Sequence, residues 1–584
     1  MTSLKDSRCV IRLPLLLALL LSAAPLRADE AAAKLFADYW SEQMRLAPLI
    51  ATFYGERGYD DLLDDNGPTG RAARKASDEA LLKRARALNL KALSGEERLS
   101  VSVMKSMLGD DLESLALPFV EMEVDHMDGG QSWIPTVIQT AQPMKDAADA
   151  AALERRLKAV PLYFTRHKEN IASGLKTGRV AARVPTEKLL RQLKEMLATL
   201  VEKSPYAEAC DRLPEPLRAQ WKPRLFKVVE TEVLPAIREL ATFIEYDYLP
   251  KTRTENIGLS GVTGGRAMYR HKIRSHTTVD KSPEELHKIG LEELAGIRGE
   301  MTQIARRAGH AGDLENYLDA VRKDPANFFT TREEVLKNAE MLVAKATARL
   351  PEWFGTLPKT ALVVKPVEEF QEKNEAAARY FQPPTDLSRP GVYYINTYKP
   401  QSRPRFSMTS LAVHEGLPGH HLQIALALEN KELPQFRRSA GFSSYVEGWA
   451  LYTERLADEM GLYQDDLSRL GMLSDQALRA ARLVVDTGIH AKGWTRDKAI
   501  SFMKVNTPMS QEEIEAEVDR YTVWPGQALA YKVGQREIMA LRDEVKARTG
   551  RRFDIKAFHD AVLRHGPLPL PVLRTSVLEV FPAK

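Results

Sequence analysis

The sequence is poor in cysteine, which excludes one common means of stabilisation. Two of its 584 residues are cysteines, and Cys9 lies in an N-terminal segment that we expect to be removed. Cys210 then remains alone, so the mature chain can form no internal disulfide bond. Cys9 also precedes the apolar run of that segment, whereas a lipid-anchored cysteine would have to follow it, so lipoprotein attachment is not expected. The stability of the protein must come from its core.

The sequence also lacks an apolar run long enough to cross a membrane. Basic residues precede an apolar stretch over residues 13–24, and a small residue follows at Ala28. This order is typical of a secretory signal peptide, and the stretch is shorter than the ~18 residues of a spanning helix. We predict a signal peptide over residues 1–28, with Ala24 as the other cleavage candidate, and secretion across the inner membrane to the periplasm. No stable membrane insertion is expected after its removal.

No excess of one charge is present either. The chain has 83 Lys and Arg against 79 Asp and Glu, a formal net charge of +4, and the two signs are interspersed. Proteins that bind nucleic acid usually concentrate positive charge on one face, so this distribution argues against such a partner. A hydrophobic content of 44% predicts a globular protein.

What the sequence does contain is a mainly α-helical pattern. Apolar residues recur at three- and four-residue spacing over residues 31–248, 282–350 and the part of the chain after 398. A Gly- and Thr-rich stretch over 249–275 predicts a loop, and β-prone pieces over 362–398 predict a small sheet or hairpin. We therefore expect a mainly α fold with a small β element. The expected regions are an N-terminal helical one, residues 29–250, and a second one, residues 251–584, that carries the motifs described next.

The densest cluster of metal-binding residue types lies over residues 409–423. In the H-E-x-x-H helix of zinc peptidases, two imidazoles four residues apart bind the metal, and the Glu between them reaches the attacking water. His414 and Glu415 begin such a pattern, but the position four after His414 is Pro418. Proline removes a backbone donor and kinks a helix, so the second histidine must be placed in another way.

Two histidines could provide the second ligand. In an undistorted helix His421 would lie ~10.5 Å along the axis from His414, too far to share one metal ion easily. A bulge at Pro418-Gly419 must therefore shorten the separation, and it could deliver either His420 or His421. We favour His420 because the shorter detour suffices, and we assign His421 to a neighbouring or substrate-side role.

The third ligand is expected from a second helix. Glu447 lies in an otherwise apolar and aromatic stretch over residues 442–455, where a metal would explain a carboxylate. The alternative is structural, because Ser444-x-x-Glu447 is also the pattern of a capping box at a helix start. Glu454 lies on the same face two turns later, either behind the ligands or in an ion pair with an arginine.

This constellation predicts zinc-dependent hydrolysis. Two imidazoles and one carboxylate leave a position for water, whose pKa zinc lowers to about 7, and Glu415 is placed to act as its general base. A tetrahedral oxyanion would need a further donor, for which His490 and Tyr531 are the candidates. Asp486 could orient His490 from four residues earlier on a helix. A surface Asp/His pair and a packed core tyrosine are the structural alternatives.

The motifs together resemble one bacterial family, the domain of unknown function 885. They are HEGLPGHHLQ, YVEGWALYTERL, VDTGIHAKGW and RYTVWPGQALAYKVG, preceded by RPGVYYINTY and SHTTVDKSPEELHKIGLEE. The family is similar to gluzincin metallopeptidases, which implies a largely helical protein with a deep cleft between two helical halves. The resemblance implies His414, His420 and Glu447 as zinc ligands, Glu415 as base, and an oxyanion segment over residues 527–531. The extended histidine spacing departs from the better-studied groups.

The predicted function is hydrolysis of short peptides by a zinc metallopeptidase of oligopeptidase or carboxypeptidase type. A helical body that encloses its site would exclude folded proteins. One alternative is a zinc hydrolase of another amide or ester. The other is a periplasmic protein that binds zinc or peptide without catalysis, against which Glu415 argues, because metal storage needs no base beside a ligand. Lys532 or Arg520 could hold a terminal carboxylate.

Overall fold

The computed structural model describes residues 28–311, 313–368, 372, 376–507 and 509–583. The predicted signal peptide, residues 1–28, lies outside this part of the chain except for Ala28, at which the first helix begins. The described residues are mainly helical, as the sequence predicts. The α-helices are, in chain order, α1 (Ala28–Leu46), α2 (Pro48–Tyr54), α3 (Pro68–Ala87), α4 (Gly95–Leu115), α5 (Gly130–Thr140), α6 (Ala147–Thr177), α7 (Arg183–Ala198), α8 (Leu217–Val228), α9 (Leu234–Phe243), α10 (Gly265–Thr277), α11 (Pro283–Arg307), α12 (Leu314–Lys323), α13 (Arg332–Trp353), α14 (Met408–Glu415), α15 (His420–Glu429), α16 (Gln435–Arg438), α17 (Ser443–Glu459), α18 (Asp466–His490), α19 (Arg496–Asn506), α20 (Gln511–Val523), α21 (Ala530–Thr549), α22 (Ile555–Leu563) and α23 (Leu570–Val580).

The small β element is confirmed as a three-stranded mixed sheet. Its strands are β1 (Leu362–Pro366), β2 (Ala378–Phe381) and β3 (Gly391–Ile395), in the order β1-β3-β2. β3 pairs parallel to β1 and antiparallel to β2, so that Tyr393 lies between Val364 and Tyr380. Buried side chains of β3 pack with α13 and α14 in a small core of their own. The sheet is thereby fixed beside the helix that carries His414.

The loop predicted over residues 249–275 is wrong in its second half. α10 begins at Gly265, directly after Gly264, whose φ of 79° lies in the left-handed region that glycine adopts without strain. Met268 and Ile273 on α10 are buried, which gives this short segment an apolar face to pack. The glycines therefore make one turn and then give way to a helix. At the start of α11, Ser282 and Glu285 form a capping box.

The apolar side chains form two large cores. One joins α1, α3 and α4 to the helices from α10 onwards, and the other lies mostly within residues 124–248. α18 is the central helix of the first core, since most of its side chains from Leu470 to His490 are buried, and it packs along α11. The boundary predicted near residue 250 stays a prediction. Among the described residues no helix is both long and apolar enough to cross a membrane.

Two glycines let α17 and α21 approach each other closely. A Cβ atom added at Gly534 would lie 1.7 Å from the carbonyl oxygen of Ser444 and 2.7 Å from the Cα of Gly448. A Cβ at Gly448 would in turn lie 2.5 Å from the backbone of Gly534. Since Gly448 follows Glu447 directly, this crossing fixes the depth at which the Glu447 carboxylate is held.

We expect Gly534→Ala to lower the free energy of unfolding by about 2 kcal/mol or more, because the added methyl group meets backbone that cannot move aside. Gly296→Ala on α11 is the matched control: a Cβ there meets nothing within 4 Å. Removing a helical glycine at that open position should raise the stability by up to about 1 kcal/mol. Thermal unfolding of both variants measures the difference, and equal midpoints would show that the close approach is not required.

Candidate metal centre

The predicted break after the first His-Glu pair is confirmed. α14 ends at Glu415, and α15 begins at His420 after four residues of irregular backbone. Pro418 has no N–H for a continuing helix. At Gly419 a Cβ atom would lie 2.1 Å from the carbonyl oxygen of His414, so only glycine permits this close return of the chain. The break brings the start of α15 back towards the end of α14.

The break places three of the predicted residues together. The Glu447 Oε2 atom lies 3.6 Å from His414 Nε2 and 3.5 Å from His420 Nε2. The three candidate ligand atoms all lie within 4.8 Å of one another, and the two imidazole rings are nearly perpendicular at 89°. Ligands bound tetrahedrally to zinc at ~2.0–2.2 Å are ~3.3–3.6 Å apart, which the two distances to Glu447 match. The donor set therefore fits one zinc ion with three protein ligands.

His421 is held away from this group by two hydrogen bonds. The Tyr380 hydroxyl donates to His421 Nδ1 over 3.0 Å, and His421 Nε2 donates to the Thr360 carbonyl oxygen over 3.0 Å. Burial lowers the pKa of His421, which suits a neutral ring with one donor and one acceptor nitrogen. Of the two histidines that the spacing allowed, the structure brings His420 to Glu447.

Glu447 does not cap its helix. The N-cap position of α17 is Phe442, and no side chain accepts a hydrogen bond from the first turn. The Ser444 hydroxyl instead lies 3.4 Å from the Thr278 hydroxyl. Burial alone would raise the pKa of Glu447, but hydrogen bonds and charge from His414 and His420 hold it well below its ordinary value. The carboxylate therefore faces the two imidazoles in its charged form.

Glu454 lies behind His414, one of the two roles that the sequence left open for it. Its Oε1 atom accepts a hydrogen bond from His414 Nδ1 over 2.8 Å, and its Oε2 atom accepts from Gln476 Nε2 over 2.9 Å. When the ring is neutral, as a metal ligand must be, the proton stays on Nδ1 and the lone pair of Nε2 is directed at the space between the ligands. A carboxylate behind a ligating histidine in this way orients the ring and raises its basicity.

Sequence reasoning missed the support behind Glu454. Gln476 Oε1 accepts from Lys532 Nζ over 2.7 Å, and Lys532 Nζ also donates to Gln535 Oε1 over 2.6 Å. Burial lowers the pKa of Lys532 to about 8. These contacts occupy Lys532, which had been a candidate for binding a terminal carboxylate. The sequence signal for this network was Gln476, because a glutamine on the apolar face of a helix needs hydrogen-bond partners in the protein interior.

Negative charge dominates the space between the ligands. Burial lowers the pKa of His414, but hydrogen bonds to Glu447 and Glu454 outweigh it and raise the pKa to about 10. The proton that His414 then carries compensates carboxylates that are largely out of water. A divalent cation would compensate the same carboxylates, so the electrostatics of the group favour a metal.

Glu415 remains outside this ligand set. Its side chain is partly exposed and forms no hydrogen bond or ion pair with the residues that the structure describes. Its charge is one cause of the raised pKa of Tyr393 on β3 and of the raised pKa of His414. A carboxylate that adjoins a ligand but binds nothing is available to exchange protons.

The two predicted oxyanion donors differ. His490 accepts from the Leu259 N–H at Nδ1 over 3.1 Å and donates from Nε2 to the Tyr521 carbonyl oxygen over 2.8 Å. The ring therefore has no N–H left for an oxyanion, and we do not assign it that role. Asp486 does not orient it either, because its carboxylate accepts from the Tyr269 hydroxyl over 2.6 Å and from the Gly526 N–H.

Tyr531 lies close enough to the ligands for their charge to act on it. Burial raises the pKa of its hydroxyl, and the negative charge of Glu447 raises it further. The hydroxyl keeps its proton and is a neutral donor. The Arg482 guanidinium stacks on the Tyr531 ring, with its Cζ atom 4.5 Å from the ring centroid.

The fold and the site define a mainly helical protein with a candidate metal centre of two histidines and one glutamate. The chain belongs to the family described as "Bacterial protein of unknown function (DUF885)", whose model matches residues 48–577. No curated protein matches the chain.

Two solved structures are similar over nearly the whole chain. The "putative lipoprotein from Colwellia psychrerythraea" is 28% identical, with a TM-score of 0.90, and the match covers 95% of this chain and 100% of that one. The "putative lipoprotein of unknown function from Shewanella oneidensis" is 20% identical, with a TM-score of 0.76 and the same coverage, which shows a shared fold.

Replacing Glu454 by Gln should weaken zinc binding by about 10- to 100-fold, because His414 loses the carboxylate that orients it. Glu459→Gln is the matched control on the same helix, since Glu459 is half-exposed and pairs with Arg542. Competition with a chromogenic chelator measures both affinities. If the two variants bind zinc equally well, Glu454 does not support the metal centre.

Zinc affinity should rise with pH. The pKa of His414 in the metal-free protein, about 10, lies above its ordinary value of 6.5. Its proton therefore stabilises the metal-free fold below pH 6.5, and this stabilisation is lost as the pH rises through 10. Zinc must displace that proton at lower pH, so the apparent affinity should increase about tenfold per pH unit between pH 7 and 9. Calorimetry in buffers of different ionisation enthalpy should detect about one proton released, and a pH-independent affinity without proton release would contradict this.

Proposed function

We propose that this chain is a zinc-dependent hydrolase that cleaves peptide bonds of short peptides. The observation that carries the proposal is the convergence of His414, His420 and Glu447, with Glu415 beside them and outside the ligand set. A site that only stored metal would gain nothing from a free carboxylate next to a ligand. The gluzincin-type cleft between two helical halves belongs to the same proposal.

Zinc bound by these three residues would supply a Lewis acid that makes water nucleophilic at neutral pH. The protein has the two remaining tasks, which are proton transfer and stabilisation of charge on the substrate. Glu415 adjoins His414 and is open to solvent, so it can accept the proton of the attacking water and return it to the leaving amine. Tyr531 keeps its proton and can donate a hydrogen bond to the oxygen of the attacked carbonyl.

The proposed location is extracytoplasmic, in the periplasm. The basic residues and apolar stretch at the N-terminus have the order of a signal peptide. The structures from Colwellia psychrerythraea and Shewanella oneidensis are both described as a "putative lipoprotein", and lipoproteins as a class lie outside the cytoplasm. We therefore propose that the protein is secreted across the inner membrane.

Glu415→Gln should reduce turnover of a short-peptide library by about 100-fold or more while zinc binding is retained, because the amide cannot accept a proton. Glu432→Gln, at an exposed position outside the site, is the control and should leave turnover unchanged. Products are identified by mass spectrometry, and zinc content is measured in the same preparations.

The outcomes separate the competing functions. Unchanged turnover in the Glu415 variant would remove the assignment of the general base. If the protein hydrolyses other amides or esters but no peptides, the proposed substrate class is wrong and zinc-dependent hydrolysis stands. A protein that binds zinc but turns over none of these compounds would be a binding protein.

A further inference from the structure

A buried cluster of charged side chains lies against the ring of Tyr531. Arg482 on α18 and Arg520 on α20 share one carboxylate, that of Glu517. Glu517 Oε2 accepts from Arg482 Nη2 over 2.9 Å and from Arg520 Nη2 over 3.1 Å, and the Tyr521 hydroxyl donates to the same atom. The cluster thus has two positive charges and one negative charge in a nearly closed space.

One nitrogen of this cluster has no partner. Arg482 is 6% exposed, and its Nη1 atom is buried without a hydrogen-bond acceptor among the residues that the structure describes. Arg520 differs, because its Nη1 atom donates to Gln527 Oε1 over 2.7 Å and its other nitrogens donate to Glu517. Leaving a buried guanidinium donor unpaired is costly, so this atom calls for an acceptor that the described part of the chain does not provide.

The unpaired nitrogen belongs to a guanidinium that stacks on Tyr531. Arg482 Cζ lies 4.5 Å from the centroid of the Tyr531 ring, and the charges of both Glu447 and Arg482 act on the Tyr531 hydroxyl. Tyr531 is therefore close both to the negative ligand group and to the positive cluster. A ligand in contact with Tyr531 would lie near both groups.

We propose that Arg482 binds a free carboxylate of the substrate, so that the substrates are short peptides with an unblocked C-terminus. A carboxylate would supply the acceptor that Nη1 lacks and would neutralise the excess positive charge of the Arg482, Arg520 and Glu517 cluster. Guanidinium and carboxylate groups match each other in shape and charge, and lysine cannot reproduce that match. This inference rests on the proposed peptide hydrolysis for its substrate class, whereas the carboxylate site itself does not need catalysis.

The test compares a pool of tripeptides with free C-termini and the same pool amidated. With zinc-loaded protein we expect kcat/KM to favour the free acids by about 10- to 100-fold, as for a charge-assisted hydrogen bond to a buried donor. Arg482→Gln should lose that preference by slowing hydrolysis of the acids and leaving that of the amides nearly unchanged. Arg482→Lys keeps the charge and should recover only part of the preference.

Two further variants control for folding. In Arg482→Gln the Glu517 carboxylate keeps Arg520 as its partner, and Arg482→Gln with Glu517→Gln tests whether the remaining charge balance of the cluster matters. Arg469→Gln on the same helix changes a half-exposed arginine that pairs with Asp458, and it should keep the full preference. Thermal unfolding of each variant verifies that the fold is intact.

Binding gives a readout that is independent of catalysis. Calorimetric titration of Glu415→Gln protein with both pools should show tighter binding of the acids, and this difference should vanish when Arg482 is also replaced. If acids bind more tightly through Arg482 but zinc-loaded protein cleaves neither pool, the carboxylate site stands and the proposed hydrolysis fails. If both pools bind and are cleaved equally, or if the preference survives in Arg482→Gln, the inference is overturned and the hydrolase proposal stands. Absence of any binding difference and of any cleavage overturns both.

Discussion

The candidate site depends on one interaction, the buried contact of His414 with carboxylates on both of its ring nitrogens. Glu454 lies 2.8 Å from Nδ1, and Glu447 lies 3.6 Å from Nε2. Charged groups are costly to bury unless each has partners, so α14 and α17 cannot move apart without leaving a carboxylate unpaired. The close glycine crossing of α17 and α21 and the break between α14 and α15 serve this contact. They set the depth of Glu447 and bring His420 to it.

The hydrogen bonds that hold Glu454 extend away from the ligands as far as Lys532, whose positive charge compensates the carboxylate. Glu454 is held by Gln476, Gln476 by Lys532, and Lys532 by Gln535, so each polar atom of this buried series has a partner. The amide of Gln476 donates to the carboxylate and accepts from the ammonium, which links a negative group to a positive one through a neutral side chain. The central position of α18 explains why this network can be fully buried, since the helix crosses the largest core. A ligand set placed on loops would have no such support.

Much of this could be predicted from the sequence, and the limits have physical causes. Spacing and residue type were enough to select His414, Glu415 and Glu447, because few other functions need a His-Glu pair followed by a carboxylate in an apolar helix. Spacing could not decide between His420 and His421, because the path of four residues at a helix break depends on contacts such as that of Gly419 with the His414 carbonyl.

The spacing of Asp486 and His490 was misleading for a related reason. Asp and His four residues apart share a helix face in the sequence, but in the structure their partners are Tyr269, Leu259 and Tyr521 from other parts of the chain. Residues 265–275 fall in the predicted loop because glycine and threonine outweighed a short apolar face, which tertiary packing stabilises as a helix.

The distribution of charge around Tyr531 would orient a charged substrate in the site. Glu415, Glu447 and Glu454 make one side negative, and a cation bound there would still leave it with nearby carboxylates. In the cluster that stacks on Tyr531, Arg482 and Arg520 exceed the single charge of Glu517, and one guanidinium nitrogen lacks a partner among the described residues. A substrate with one carboxylate would be repelled by the first group and attracted to the second, so its orientation would be set by charge before any side chain was recognised. A site built in this way would select the end of a chain rather than its sequence.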